Sequence, residues 1–304
     1  MLRITIFLVA LSLLPPCSAS ALDLFVNNQA GDDRNDGRLE HSAYGGQGPV
    51  RTIGRALKLA QSGDRVIVAD TGQPYREQLT LFGSGNSGSP VAPFVIEGHG
   101  AVLDGSQPVP DEAWAHYADD VFRFRPRGLA YQQLFRNDRP LAQVPVRRLS
   151  ASPPRLEPLQ WCLHENWIYF RVEEGHTPQS YALTSASHEV GITLYRVANV
   201  QILDLTVQGF RLDGVNAHDG VRDAFLVGLT CRGNGRSGAS VGGASRLTLE
   251  ACLLGNNGHA QLRTEGHCRV WANRCELLDN TAPPYVVEGG RLVVDGKPIR
   301  IEPR

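Results

Sequence analysis

Residues 191–213, GITLYRVANVQILDLTVQGFRLD, begin a series of segments that share one pattern and decide the fold. The segments that follow are GVNAHDGVRDAFLVGLTCRGNGRS (214–237), GASVGGASRLTLEACLLGNNGH (238–259) and AQLRTEGHCRVWANRCELLDNTAPP (260–284). Each has roughly 23 residues and reads as strand, turn, strand, single turn residue, strand and turn. A segment of this length cannot bury its apolar face alone, so stacked segments are expected to build one continuous core.

The sharp bend between the second and third strand of each segment falls on a single small or Asx-type residue. These residues are Asp204, Gly228, Ala251 and Asn273. Glycine and Asx residues favour such bends because they tolerate backbone conformations that other residues avoid. No helical pattern separates the strands, which excludes a TIM barrel and a doubly wound sheet. The repeats therefore predict an all-β solenoid of stacked coils.

The N-terminal part has a different signature, an acidic turn followed by a short helix. The turn GDDRNDG, Gly31–Gly37, fails as an EF-hand calcium loop because Arg34 and Ala43 stand where its third and twelfth ligands belong. Its aspartates are expected to accept local backbone N–H groups instead. In Thr52–Gln61, apolar residues recur at spacings of three, four and seven, which predicts an amphipathic helix that Thr52 caps.

Together with its flanking strands, this signature resembles the start of secreted parallel β-helix proteins of the pectin-lyase-like group. The resemblance lies in LFVNNQAGDDRNDG (24–37), PVRTIGRALKLAQSGDRVIVADTGQPYREQLTL (49–81) and GSGNSGSPVAPFVIEGHGAVLDGS (83–106), and by repeat pattern it extends over residues 190–290. It implies an all-β fold, a right-handed parallel β-helix with a short N-terminal capping helix that closes the open end of the coil stack.

Four parts of the chain are expected. They are a signal peptide (1–21), the cap and first coils (22–120), a small β-rich insert (121–189) and the remaining coils with the C-terminal end (190–304). The signal peptide is predicted from Arg3, an apolar run from Ile4 to Leu14 and small residues at Ala19 and Ala21. It predicts a secreted or periplasmic protein. No later segment is apolar enough to span a membrane.

Several functional classes are disfavoured by the sequence. The formal net charge of −1 argues against nucleic acid as the main partner. Gly83–Gly88 matches a dinucleotide fingerprint, but prolines and a strand follow where a helix must begin. Ser240 matches a nucleophile elbow but lies within a repeat strand. No cofactor is predicted, although the resemblance leaves a bound calcium ion open.

Strand alternation predicts a polar outer face on the first strands of the repeats. Val215, Ala217 and Leu262 are expected to face the core, which sends their neighbours outward. The candidate substrate-binding residues on this face and its turns are Asp213, Asn216, His218, Asp219, Arg236, His259 and Gln261. Such side chains can bind an extracellular polysaccharide, including one that contains uronates, but an ordinary solvated sheet face also favours polar residues.

Three further residues are candidates for catalysis. Glu265 and Glu288 are 23 residues apart, one repeat, so they would sit ~5 Å apart on adjacent coils, as in a retaining glycosidase. The resemblance also implies a lyase, with Arg263 or Arg236 as base and Asp213 or Asp219 on a cation. The alternative to a polysaccharide lyase or glycosidase is a non-catalytic carbohydrate-binding or surface-adhesion module.

The predicted insert contains four large aromatic residues, Trp161, Trp167, Tyr169 and Phe170. Exposed on one surface, they would form a platform for sugar rings. Large aromatic residues are more often buried, so we expect them to form the insert's own core.

Overall fold

The computed structural model describes residues 21–126, 128, 131–146 and 150–299. The predicted signal peptide thus lies, except for Ala21, outside the described residues. Across the described ranges, no helix is long and apolar enough to cross a membrane. The structure is nearly all β, with long parallel sheets, and it confirms the predicted parallel β-helix.

Three sheets form the walls of the coil stack. Sheet A contains β1 (Asp23–Val26), β2 (Arg65–Val68), β4 (Phe94–Glu97), β15 (Ala198–Leu203), β18 (Arg222–Val227), β21 (Arg246–Glu250), β24 (Arg269–Asn273), β27 (Arg291–Val294) and β28 (Lys297–Ile299). Sheet B contains β5 (Val102–Asp104), β16 (Thr206–Gln208), β19 (Thr230–Arg232), β22 (Leu253–Gly255) and β25 (Glu276–Leu277). Sheet C contains β3 (Leu79–Phe82), β14 (Ile192–Tyr195), β17 (Asp213–Ala217), β20 (Ser237–Val241), β23 (Ala260–Thr264) and β26 (Tyr285–Val287). Neighbouring strands are parallel, except that β28 returns antiparallel to β27.

The apolar rows that face inward make the core. On sheet C, Leu79, Ile192 and Val215 pair coil by coil and are all buried. On sheet A, Ile202 pairs with Leu226 in the same way. Side chains alternate between the two faces of a strand, so the intervening residues are directed to the outer surface. This alternation decides which polar residues are available to a ligand.

The bends between sheets A and B are single residues with a positive φ. Asp204 (45°), Gly228 (65°) and Ala251 (51°) take this conformation as predicted. In the last repeat, however, the bend is at Arg274 (52°), so the prediction of Asn273 was wrong by one residue. Asn273 ends β24, where its side chain donates a hydrogen bond to Glu250 of the previous coil. Asn273 pairs with Glu250, the last residue of β21, so the register places Arg274 beside the bend residue Ala251 of the previous coil.

A separate antiparallel unit interrupts the coils. Its strands are β6 (Ser106–Pro108), β7 (Ala115–Ala118), β8 (Val121–Phe124), β9 (Leu134–Arg136), β10 (Arg139–Pro140), β11 (Trp161–His164), β12 (Trp167–Arg171) and β13 (Leu183–Ala186), with 3-10 turns at Asp111–Ala113 and Pro178–Ser180. They form two four-stranded sheets. β6 and β7 precede the predicted start of the insert at residue 121. Both strands are short and lack an apolar alternation, so the sequence gives no signal for them.

The aromatic residues of the insert form its core, as we expected. Trp161 and Phe170 are fully buried and Tyr169 is nearly so. Trp167 is half-buried, and the guanidinium of Arg123 lies 4.6 Å from its ring centroid. The interior position of three of the four rings removes the flat exposed platform that sugar stacking would need.

The N-terminal end of the stack is joined to the helix α1 (Ile53–Leu59) through carboxylates. Asp33 accepts hydrogen bonds from the backbone N–H groups of Arg51 and Thr52, each at 2.9 Å. Asp32 and Asp36 each accept from the backbone N–H group two residues further on, that of Arg34 and of Arg38 respectively. Asp32 and Asp36 thus accept local backbone donors, as the sequence predicts, whereas the donors to Asp33 come from the segment that begins the helix. Thr52 caps the helix by accepting from the N–H of Arg55.

Leu57 offers a test of the packing of α1 against the first coil. Its side chain is buried with Ile53 and Ala56 in the main core. Leu57→Asp would bury an unpaired carboxylate, so we expect a loss of about 2–5 kcal/mol in the free energy of unfolding, with aggregation. The measurement is a denaturant titration with size-exclusion chromatography. Lys58→Asp, on the exposed side of the same helix, is the control. Equal losses in the free energy of unfolding for the two variants would contradict the packing of Leu57 against the first coil.

Candidate functional site

The outer face of sheet C carries a straight row of residues, one from each coil, which we call the sheet C row. It consists of Phe82, Tyr195, His218, Gly242, Glu265 and Glu288. Tyr195 pairs directly with Phe82, and the others each follow an inward-facing paired residue such as Ala217 or Val241. Adjacent positions are ~4.8 Å apart, the spacing of paired strands. The row therefore runs parallel to the axis of the coil stack.

The C-terminal end of the row is an ion cluster centred on Arg263. Its Nη2 donates to Oε2 of Glu265 at 3.0 Å, and its Nε donates to Oε2 of Glu288 at 3.0 Å. Nη2 also contacts Glu288. The arginine side chain is 17% exposed, and the two carboxylates are 34% and 39% exposed. One guanidinium thus neutralises part of two accessible carboxylates and leaves the cluster negative.

His218 connects this ion cluster to the middle of the row. Its Nδ1 lies 3.8 Å from Oε1 of Glu265, and its Nε2 lies 3.9 Å from Oδ2 of Asp219, both longer than a hydrogen bond. Gly242 lies on the coil between the coil of His218 and the coil of Glu265. A Cβ at this position would be 2.6 Å from Nδ1 of His218 and 3.0 Å from Oε1 of Glu265. Only glycine at this position lets the imidazole and the carboxylate approach.

The other end of the row is aromatic. The rings of Phe82 and Tyr195 are stacked with centroids 5.7 Å apart and planes 11° from parallel. Phe82 is 57% exposed, and the guanidinium of Arg196 lies 5.1 Å from the Tyr195 ring. Tyr195 is half-buried, so the exposed ring of Phe82 is the surface of this pair on which a sugar ring can stack. Phe82 was not among the predicted site residues.

Asp213 belongs to a buried network and not to the outer face. It is fully buried and accepts from Nε of Arg236 (2.9 Å), Oγ of Ser237 (2.6 Å) and Nδ2 of Asn216 (2.9 Å). Arg236 adds a second contact through Nη2. The prediction of Asp213 as a ligand for substrate or cation was wrong, because its oxygens are occupied by these donors and sealed from solvent. Asn216 and Arg236 are engaged by the same carboxylate.

The contact between Asp213 and Arg236 also decides whether Arg236 can act as the base of a lyase. The hydrogen bond with Asp213 raises the pKa of the Arg236 guanidinium, although burial opposes the rise. A base must lose its proton, so Arg236 is unsuited to that role. Arg263 is engaged as a donor to both Glu265 and Glu288, so its nitrogens are not placed to abstract a proton from a substrate.

Gln261 is fully buried as well, so its predicted outward position was wrong. Gln261 lies two residues before Arg263 in β23, so alternation places both on the same face of the strand. The chain around Asn280 and Ala282 covers Gln261, however. Its Oε1 accepts from Nδ2 of Asn257 at 2.8 Å, and Asn257 in turn contacts the buried Asn234 of the preceding coil. This ladder of amides stabilises the turns between sheets B and C, and it was missed because alternation does not reveal what covers a side chain.

The remaining candidates lie on either side of the row. Asp219 is exposed in the turn after β17, next to His218. His259 is exposed immediately before β23. Its ring and that of Tyr131 pack edge to face, with centroids 5.8 Å apart. Tyr131 precedes β9, so the insert lies beside the end of sheet C at which its strands begin. Of the predicted site residues, the structure brings together His218, Asp219, Arg263, Glu265 and Glu288.

Comparisons with known proteins support the fold at low sequence identity. No protein-family model matches the sequence, and no curated protein matches it. Among solved structures, one titled "Glycoside hydrolase" is similar with a TM-score of 0.61 and 11% identity, over 84% of this chain and 73% of the other. A structure of XylC with xylose (TM-score 0.43, 11% identity, 90% and 70% covered) and pectate lyase Pel9A (0.31, 11%, 91% and 78%) are more distant. At this identity the likeness establishes the fold alone.

Proposed function

We propose that this protein is exported and binds an extracellular polysaccharide along the sheet C row. The observation that carries the proposal is the composition of the row: the exposed ring of Phe82 stacked with the half-buried Tyr195, followed on the same line by His218, Glu265 and Glu288. Rings suit stacking with sugar faces, and carboxylates suit sugar hydroxyls as acceptors. The six positions span about 24 Å at the strand spacing, long enough for several sugar rings.

Binding is favoured over catalysis by the position of Arg263. The guanidinium of Arg263 donates to Oε2 of Glu265 and to Oε2 of Glu288, so one oxygen of each carboxylate is already occupied. A glycosidase of the two-carboxylate type needs one of them to carry a proton in the resting enzyme. The same negative cluster would repel uronate groups, which favours a neutral glycan at this end of the row.

Glycoside hydrolysis is the second candidate, and the separation of the two carboxylates favours it. Oxygens of Glu265 and Glu288 contact the same nitrogen of Arg263, so these oxygens lie within about 6 Å of each other. Retaining glycosidases place their carboxyl groups about 5 Å apart. A glycan that displaced Arg263 from one carboxylate would leave the oxygen that Arg263 had occupied available to the substrate.

A glycan panel tests the proposal and separates the two candidates. Purified protein is titrated with neutral and acidic polysaccharides, and binding, new reducing ends and unsaturated products are measured. We expect binding to a subset of glycans without new ends; new reducing ends would instead support hydrolysis. Binding to no glycan of the panel would contradict both candidates.

Phe82→Ala tests the position of the glycan. Loss of one stacking ring should weaken binding about tenfold, the equivalent of ~1.4 kcal/mol. Tyr44→Ala is the matched control, because Tyr44 is 99% exposed on a loop outside the sheets. The proposal is contradicted if both variants bind as the unmodified protein does.

A further inference from the structure

A second row of charged residues lies on the outer face of sheet A. Arg246, Arg269 and Arg291 pair coil by coil, so their Cα atoms are ~4.8 Å apart along the stack. We call them the arginine row. Each begins its strand, and the alternating burial of the strands directs all three outward.

Two of the three arginines are available to an external anion. Arg246 donates to Asp223 of the previous coil at 2.9 Å. Arg269 and Arg291 are exposed, and in the part of the chain that the structure describes neither takes part in an ion pair. The Glu250 carboxylate on the same face is bound by Arg274 at 2.6 Å instead. The arginine row is thus a line of positive charge on a protein whose net charge is −1.

Aromatic residues run beside the arginine row. Phe225, Thr248 and Trp271 pair on successive coils, which places the two rings two strands apart, or ~10 Å. Phe225 is 40% exposed and Trp271 is half-buried. Next to Phe225 is an open hollow of about 450 Å³, lined by Pro90, Asn199 and Asp223 among others.

We propose that the outer face of sheet A is a second binding surface, for a linear anionic polysaccharide. Its carboxylates or sulfates would pair with Arg269 and Arg291, and its rings would stack on Phe225 and Trp271. A chain with one acidic group per ring fits the coil spacing, because ~10 Å is about the length of two sugar rings. Guanidinium groups bind such oxyanions with two parallel hydrogen bonds.

The charges favour this face over the sheet C row for an anionic chain. At the C-terminal end of the sheet C row, Glu265 and Glu288 would repel the chain, and Arg263 is occupied by them. On sheet A, the exposed Arg269 and Arg291 can pair directly with the acidic groups of the chain. The two proposals rest on different residues and different faces, so either can fail without the other.

Alginate, a linear polyuronate, is the probe for the experiment, with neutral dextran and inorganic polyphosphate beside it. The unmodified protein is expected to bind alginate in calcium-free buffer and not dextran, with affinity falling as salt rises. Arg269→Glu combined with Arg291→Glu should weaken alginate binding at least tenfold. Arg38→Glu combined with Arg139→Glu makes the same charge change at exposed positions elsewhere and should leave most of the affinity.

Trp271→Ala separates stacking from charge. It should weaken binding of alginate about tenfold and leave binding of polyphosphate, which has no rings, within twofold. Circular dichroism and a melting curve verify the fold of each variant. The proposal is overturned if the unmodified protein does not bind alginate, if the control pair loses as much affinity as the arginine-row pair, or if Trp271→Ala weakens both polymers equally. Equal binding of a single-stranded DNA oligomer would also overturn it, as a general polyanion surface.

Discussion

Replacement of Asp213 by alanine is expected to lower the free energy of unfolding by about 3–5 kcal/mol, because it removes one partner of a buried ion pair. The carboxylate is fully buried and accepts from Arg236, Ser237 and Asn216. Without it, the donors of Arg236, Ser237 and Asn216 lose their acceptor, and the one on Arg236 carries a partly buried positive charge. The cost of leaving such groups unpaired exceeds the value of the hydrogen bonds themselves.

A urea titration monitored by circular dichroism measures this loss. Asp223→Ala is the control, because Asp223 also pairs with an arginine, Arg246, at 2.9 Å, but both side chains are exposed. An exposed pair contributes at most about 1 kcal/mol, so the control should unfold near the unmodified protein. Similar shifts for the two variants would mean that Asp213 is not a structural residue.

The second large effect concerns the ion cluster of the sheet C row. Arg263→Ala combined with Glu265→Ala should weaken glycan binding at least a hundredfold, because each lost contact to a charged group is worth about 1.5–3 kcal/mol. Both side chains are partly exposed, so stability should fall by no more than about 1 kcal/mol. The binding constant is measured by isothermal titration calorimetry with the neutral glycan that the panel identifies.

Arg274→Ala combined with Glu250→Ala is the matched control for this pair. It removes an ion pair of similar composition, with Nε and Oε1 2.6 Å apart, from the edge of sheet A. Binding by this control should be within twofold of the unmodified protein. The cluster has no role in binding if the double variant at Arg263 and Glu265 retains full affinity while remaining folded.

The repeats predicted the fold because a solenoid uses the same local pattern in every coil. Strand alternation also placed His218, Arg263 and Glu265 on one surface, where the structure brings them together. Alternation describes only the direction of a side chain. It missed the burial of Gln261, because the chain that covers this residue comes from the next coil.

Phe82 shows a different limit of the sequence. Its strand, LTLF (79–82), pairs with ITLY (192–195), and the two share one pattern. The insert separates them, so the repeat period is lost between them. A search for the pattern alone, without the period, would have placed Phe82 beside Tyr195.

A crystal structure of the protein with an oligosaccharide from the identified neutral polysaccharide would locate the bound glycan. We expect the sugar rings to lie along the sheet C row, with one stacked on Phe82 or Tyr195 and hydroxyl groups within hydrogen-bond distance of Glu265 or Glu288. An oligosaccharide bound only to the insert or only to sheet A, with the sheet C row unoccupied, would contradict it.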